Sequence, residues 1–268
     1  MLIAELKGKI PSVLQNYEDI LTSSVIGIFQ YLSSPLYIQS VLESCVDING
    51  THLTFTSSIK ECNYIFWPNL ENSEPDVILH IQTEDHKEHL ICIEAKYWSN
   101  KSSNEDQSID IQHRTNRQRD QLAREIEDIH NDNCLRYLDI NKDKLSNINL
   151  IYLTNHTYLP SQDILESVEH IQGFNFPKEH IFWLSWREIH NVISKIKVYL
   201  TIQDSKLLYD LKKLLEKKSL QSFNGFQQQI ERVSLINFSY TSTLGSFSWS
   251  QLKEVKKLKW GYGGISNG

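Results

Sequence analysis

No apolar run in this 268-residue chain approaches the roughly 20 residues that a membrane-spanning helix needs, which excludes that reading. The first residues, MLIAELKGKIPS, lack the apolar segment and cleavage site of a secretory signal, so the expected location is cytoplasmic. Cysteines are few. Cys45, Cys62, Cys92 and Cys134 stand far apart and form no C-x-x-C pair. They read as reduced thiols, at least two of them in the core, and their spacing argues against structural zinc. The ten histidines show no H-x-H or H-E-x-x-H grouping, and no G-x-S-x-G elbow marks a serine hydrolase. The terminal GYGGISNG does not open a helix after a strand, so it is no phosphate loop. Basic residues are not in excess: 27 Lys and Arg face 33 Asp and Glu, a net charge of −6. Any surface that grips nucleic acid must therefore be local, or be supplied by a partner.

What is present is ordinary globular composition, with 40% hydrophobic and 22% charged residues. Residues 12–33 carry an apolar stripe of helical period from Val13 to Leu32, ended by Ser33-Ser34-Pro35. A short helix over 36–45 follows. Strands are predicted at 52–56, 64–67, 77–81 and 89–96, the last two joined by a polar turn into a hairpin. Residues 97–116 read as a polar loop. Helices at 117–130, 161–170 (with a Ser cap), 186–196 and 204–218 alternate with strands at 147–154 and 180–185. The helix at 204–218 has a leucine-lined face, read as core packing. This order predicts an α/β fold: a mixed central sheet flanked by helices, with a helical C-terminal extension. The domain reading is a core over residues 1–200 and an extension over 201–268.

The stretch Ile91-Cys92-Ile93-Glu94-Ala95-Lys96 begins as a buried strand and ends on two charges. Strand side chains alternate, so Glu94 and Lys96 share a face. Upstream, Glu74-Pro75-Asp76 starts the other hairpin strand, a place where Pro is tolerated. Asp76 meets the pair if it faces the same side. Two carboxylates brought together repel unless a cation sits between them. Mg²⁺ or Mn²⁺ prefers such hard oxygens, and a neighbouring lysine can orient water or offset charge on a phosphate. The bland alternative is an exposed strand-end aspartate beside an ordinary ion pair.

The pattern Pro75-Asp76 followed by Glu94-Ala95-Lys96 resembles the PD-(D/E)xK nuclease superfamily. Three further segments resemble its bacterial restriction and phage-defence members: Glu18-Asp19-Ile20-Leu21-Thr22, Asp120-Gln121-Leu122-Ala123-Arg124-Glu125, and Phe182-Trp183-Leu184-Ser185-Trp186-Arg187 with Phe223-Asn224-Gly225-Phe226. The resemblance covers roughly residues 15–226. It implies a restriction-endonuclease-like core and metal-dependent cleavage of nucleic acid, DNA ahead of RNA, as in an antiphage effector. Asp76, Glu94, the Ala95 carbonyl and Glu18 (or its neighbour Asp19) would hold the metal. Lys96 would position water, and Gln121 would lie near the site. Lys101, Arg114 and Arg117 are candidate nucleic-acid contacts, with Arg119 and Arg124 in the same sign-mixed segment. The other reading is a nuclease-fold subunit that does not cut but binds nucleic acid or assembles, as a homo-oligomer or with partner subunits.

Overall fold

The computed structural model describes residues 2–9, 17–97, 108, 109, 113, 115, 118–196 and 201–222. The described elements run α1 (Leu2–Leu6), α2 (Glu18–Phe29), α3 (Leu36–Leu42), β1 (Ile59–Phe66), β2 (Val77–Thr83) and β3 (Glu88–Ala95). Then come α4 (Gln121–His130), α5 (Asp132–Tyr137), β4 (Leu145–Thr154), α6 (Ser161–Glu169), β5 (Ile181–Ser185), α7 (Trp186–Lys195) and α8 (Ile202–Lys217). Single 3₁₀ turns precede β4 and β5.

The five strands form one open sheet in the order β1-β2-β3-β4-β5. The first three pair antiparallel; β3 with β4 and β4 with β5 pair parallel. The parallel joins pass through α4 and α5, and through α6, because parallel neighbours need a crossover. Central β3 is buried along nearly its whole length, which explains its almost unbroken apolar run. Alternation then sorts side chains into two cores. Val77, Leu79, Ile91, Ile93, Ile151 and Leu153 pack with α2, α3, α7 and α8. Ile78, Leu90, Cys92, Leu150 and Tyr152 pack with α4, α5 and α6. The mixed sheet flanked by helices is as the sequence predicts.

Several local expectations are corrected. Residues 52–56 are not a strand; only His52 makes an isolated bridge, to Val46. Val46 donates its N–H to the Trp183 carbonyl and accepts the Trp183 N–H, so this segment pairs at one point along the middle of β5 instead of forming a strand of its own. Strand β1 starts earlier than predicted, at Ile59, and stops before Trp67. Ser161 is the first helical residue of α6, after Pro160, and makes no cap bond. Helix α4 begins at Gln121, where the Asp120 carboxylate accepts the Ala123 N–H.

Helix α8 is held by a reciprocal capping box between Thr201 and Asp204. Asp204 also accepts from Ser33 N and Oγ, tying α8 to the turn after α2. Leu208, Leu211, Leu214 and Leu215 enter the core, and the compact unit runs from Met1 to Phe223. All four cysteines are free. Among the described residues, no helix is long and apolar enough to cross a membrane.

Candidate active site

The hairpin register sets the site. Val77 pairs with Ile93, which carries Asp76 one step on to face Glu94. Asp76, Glu94 and Lys96 are even-numbered, as are Ile78 and Cys92, so all project toward the α4 side of the sheet. Asp76 is buried. Its Oδ2 accepts the Ala95 N–H at 2.8 Å and its Oδ1 accepts the Trp67 indole N–H at 3.2 Å. Trp67 holds a left-handed backbone, φ 47°, and also donates its own N–H to the Asp76 carbonyl. A bulky residue in that region carries about 1–3 kcal/mol of strain, kept only where the surroundings fix it.

Lys96 is fixed by its backbone. Its N–H donates to Leu153 of β4, and its carbonyl accepts the Trp186 indole at the start of α7. Its buried ammonium bridges two acids: Glu94 Oε1 at 2.5 Å and Glu18 Oε1 at 3.0 Å. The other Glu18 oxygen accepts the Tyr97 N–H at 2.9 Å. Neighbouring Asp19 is exposed, so Glu18 is the acid that the N-terminus of α2 delivers. From the opposite helix layer, Gln121 Nε2 donates to Glu94 Oε1. Five of the residues the sequence singles out thus converge.

The electrostatics are those of a crowded, largely buried acidic cluster. Burial, then the Glu94 charge, push the Asp76 carboxyl up to about 7. Burial also raises Glu94, against the opposing pull of Lys96. Burial would lower Lys96, but Glu94 and Glu18 outweigh it and hold the ammonium firmly protonated.

Glu125, which sequence reasoning left unassigned, belongs to the same cluster. It is fully buried one turn after Gln121, and burial with the facing Glu94 carboxylate raises it well above the ordinary range. Asp128, one turn further, was missed too. It accepts from Asn72 N and Nδ2 and from Ser73 Oγ, while Arg124 donates to the Asn72 carbonyl. Together they pin the loop that delivers Asp76.

The predicted nucleic-acid contacts Lys101, Arg114 and Arg117 are not among the described residues, nor are most of the 97–116 loop and the 223–226 segment. Arg119 pairs with Glu127 through both guanidinium branches, and Arg124 is buried on Asn72. Both arginines serve the fold.

Comparison with known proteins finds no family model, no curated protein and no solved structure that matches this chain. The donor chemistry at the cluster suits Mg²⁺ or Mn²⁺, since Asp76, Glu94, Glu18 and the Ala95 carbonyl are all hard oxygens. Among the described residues, no three acidic, His or Cys side chains are already grouped to hold a metal ion. Lys96 draws Glu94 and Glu18 to itself instead.

Proposed function

We propose that this chain is a divalent-metal-dependent nuclease with a restriction-endonuclease-like core, hydrolysing phosphodiester bonds of nucleic acid, DNA before RNA. The observation that carries the reading is the convergence of Asp76, Glu94 and Lys96 on one face of the hairpin, with Glu18 and Gln121 closing in from two helices. Asp76, Glu94 and Glu18 set three carboxyl groups against one ammonium there; their crowding and burial raise Asp76 and Glu94, and a cation among them would relieve that strain. Asp76, Glu94 and the Ala95 carbonyl would hold Mg²⁺ or Mn²⁺, which when bound supplies Lewis-acid charge to a phosphate and acidifies a water ligand. Lys96 would hold the attacking water and offset charge at the phosphate. Gln121 would keep Glu94 from turning away.

The test is incubation of the purified chain with plasmid, linear DNA and RNA in Mg²⁺, Mn²⁺ or EDTA, beside Lys96→Ala and Asp76→Asn. The expected result is metal-dependent cleavage that both substitutions abolish, with far-UV circular dichroism unchanged. Cleavage by both variants at the wild-type rate would overturn the site. The competing reading, a nuclease-fold subunit that binds or assembles without cutting, draws on the net charge of −6 and on the engaged Lys96. It predicts no cleavage with any divalent ion, and co-purification with another subunit.

A further inference from the structure

Helix α4 presents two groups to the site, one turn apart. Gln121 is used, donating to Glu94. Glu125 has no exposed surface, no N–H or hydroxyl donor among the described residues reaches either carboxyl oxygen, and the one group within hydrogen-bond reach is the Glu94 carboxyl, with which it can only share a proton. Its charged surroundings are Glu94, Lys96 and Asp76, and it faces the Glu94 carboxylate, another acceptor. A buried carboxyl that no donor reaches costs several kcal/mol, so such a group persists only where something else satisfies it. Packing alone would be better served by Leu or Met at this position. With Glu125 the acidic side chains near Lys96 number four: Glu18 and Glu94 touch its ammonium, and Asp76 and Glu125 lie close enough to feel its charge. One proton shared between Glu94 and Glu125 would leave one Glu125 oxygen empty and the remaining imbalance in place. A divalent cation answers both.

We infer that Glu125 is a fourth carboxylate ligand of the cation site, acting with Glu94 and entering from α4 instead of from the hairpin. The inference rests on the metal-dependent reading above and adds a ligand that the hairpin pattern does not contain. Glu125→Gln keeps the side chain's length and supplies its own amide donor, but removes the anionic oxygen. Glu125→Met keeps the length and removes all polarity.

The experiment is Mn²⁺ titration of the purified full chain, by calorimetry and by electron paramagnetic resonance of free Mn²⁺, with wild type, Glu125→Gln, Glu125→Met and Asp76→Asn. The expected result is roughly tenfold or greater loss of Mn²⁺ affinity in both Glu125 variants. Their metal-free melting temperatures should be no lower than wild type, because an unsatisfied buried acid has been removed. If wild type and Asp76→Asn bind Mn²⁺ at tenfold different affinity but Glu125→Gln matches wild type, Glu125 is a hydrogen-bond partner and the inference falls while the metal site stands. If wild type binds no Mn²⁺, the metal-dependent reading falls and takes the inference with it.

Discussion

At the scale of a residue, Asp76 gives the sharpest prediction. In the native state its carboxyl keeps a proton up to about pH 7, against an ordinary value of 3.8. Between those values the native state binds more protons than the unfolded one, so this group makes stability fall as pH rises. The cost is absent below about pH 4 and full above pH 7, on the order of 4 kcal/mol. Asp76→Asn removes it. The asparagine keeps only one of the two acceptors that serve Ala95 N and the Trp67 indole, a loss of about 1 kcal/mol that does not vary with pH. In EDTA, the melting temperature of Asp76→Asn minus that of wild type should therefore climb between pH 4 and pH 8. Thermal unfolding at matched pH values checks it, and a flat difference would show that Asp76 titrates normally. Added Mn²⁺ should raise the wild-type melting temperature and leave the variant's in place.

At the scale of an element, helix α4 joins fold and site. Its apolar residues Leu122, Ile126 and Ile129 are legible in the sequence as a helical stripe, and they do enter the core. Glu125 and Asp128 are buried too, and hydropathy periodicity cannot see that, because it assigns charged residues to solvent. That is why the hairpin half of the site was readable and the α4 half was only partly so. Pro75-Asp76 and Glu94-Ala95-Lys96 follow from strand alternation and a turn, both local. The role of Asp128 depends on which loop happens to lie over α4, which is a tertiary fact. The same limit explains residues 52–56, whose β-rich sequence is overridden when Val46 pairs with Trp183. Asp128→Ala strands three donors at once, Asn72 N, Asn72 Nδ2 and Ser73 Oγ. It should cost about 3 kcal/mol or more in urea unfolding. Mn²⁺ affinity should fall as well, since the loop it pins leads straight into Asp76. A variant of normal stability would mean that the loop is held by other bonds.

At the scale of the whole molecule, the open question of the sequence is where the folding unit ends. The sequence reading set a boundary after residue 200 and read the leucine-lined helix that follows as packing on the core. In the structure α8 lies against α1, α2 and α7 and shares their core. Two polar ties reinforce it. Lys218 makes a buried ion pair with Glu5 of α1, and Asp204 caps α8 while binding Ser33. Leu208, Leu211, Leu214 and Leu215 are all at most 2% exposed. At about 1.5–3 kcal/mol for each buried leucine, they contribute on the order of 6–12 kcal/mol before ordering costs. That matches the whole net stability of a typical domain, about 5–15 kcal/mol. A chain ending at residue 200 should therefore fail to fold, leaving the apolar faces of α2 and α7 bare. A chain ending at Phe223 should unfold cooperatively, with a melting temperature close to that of the full chain. Circular dichroism melts of the two truncations decide between the boundaries. A cooperative transition in the 1–200 chain would make α8 an appendage, and its absence would make α8 part of the scaffold on which Glu18 and Lys96 meet.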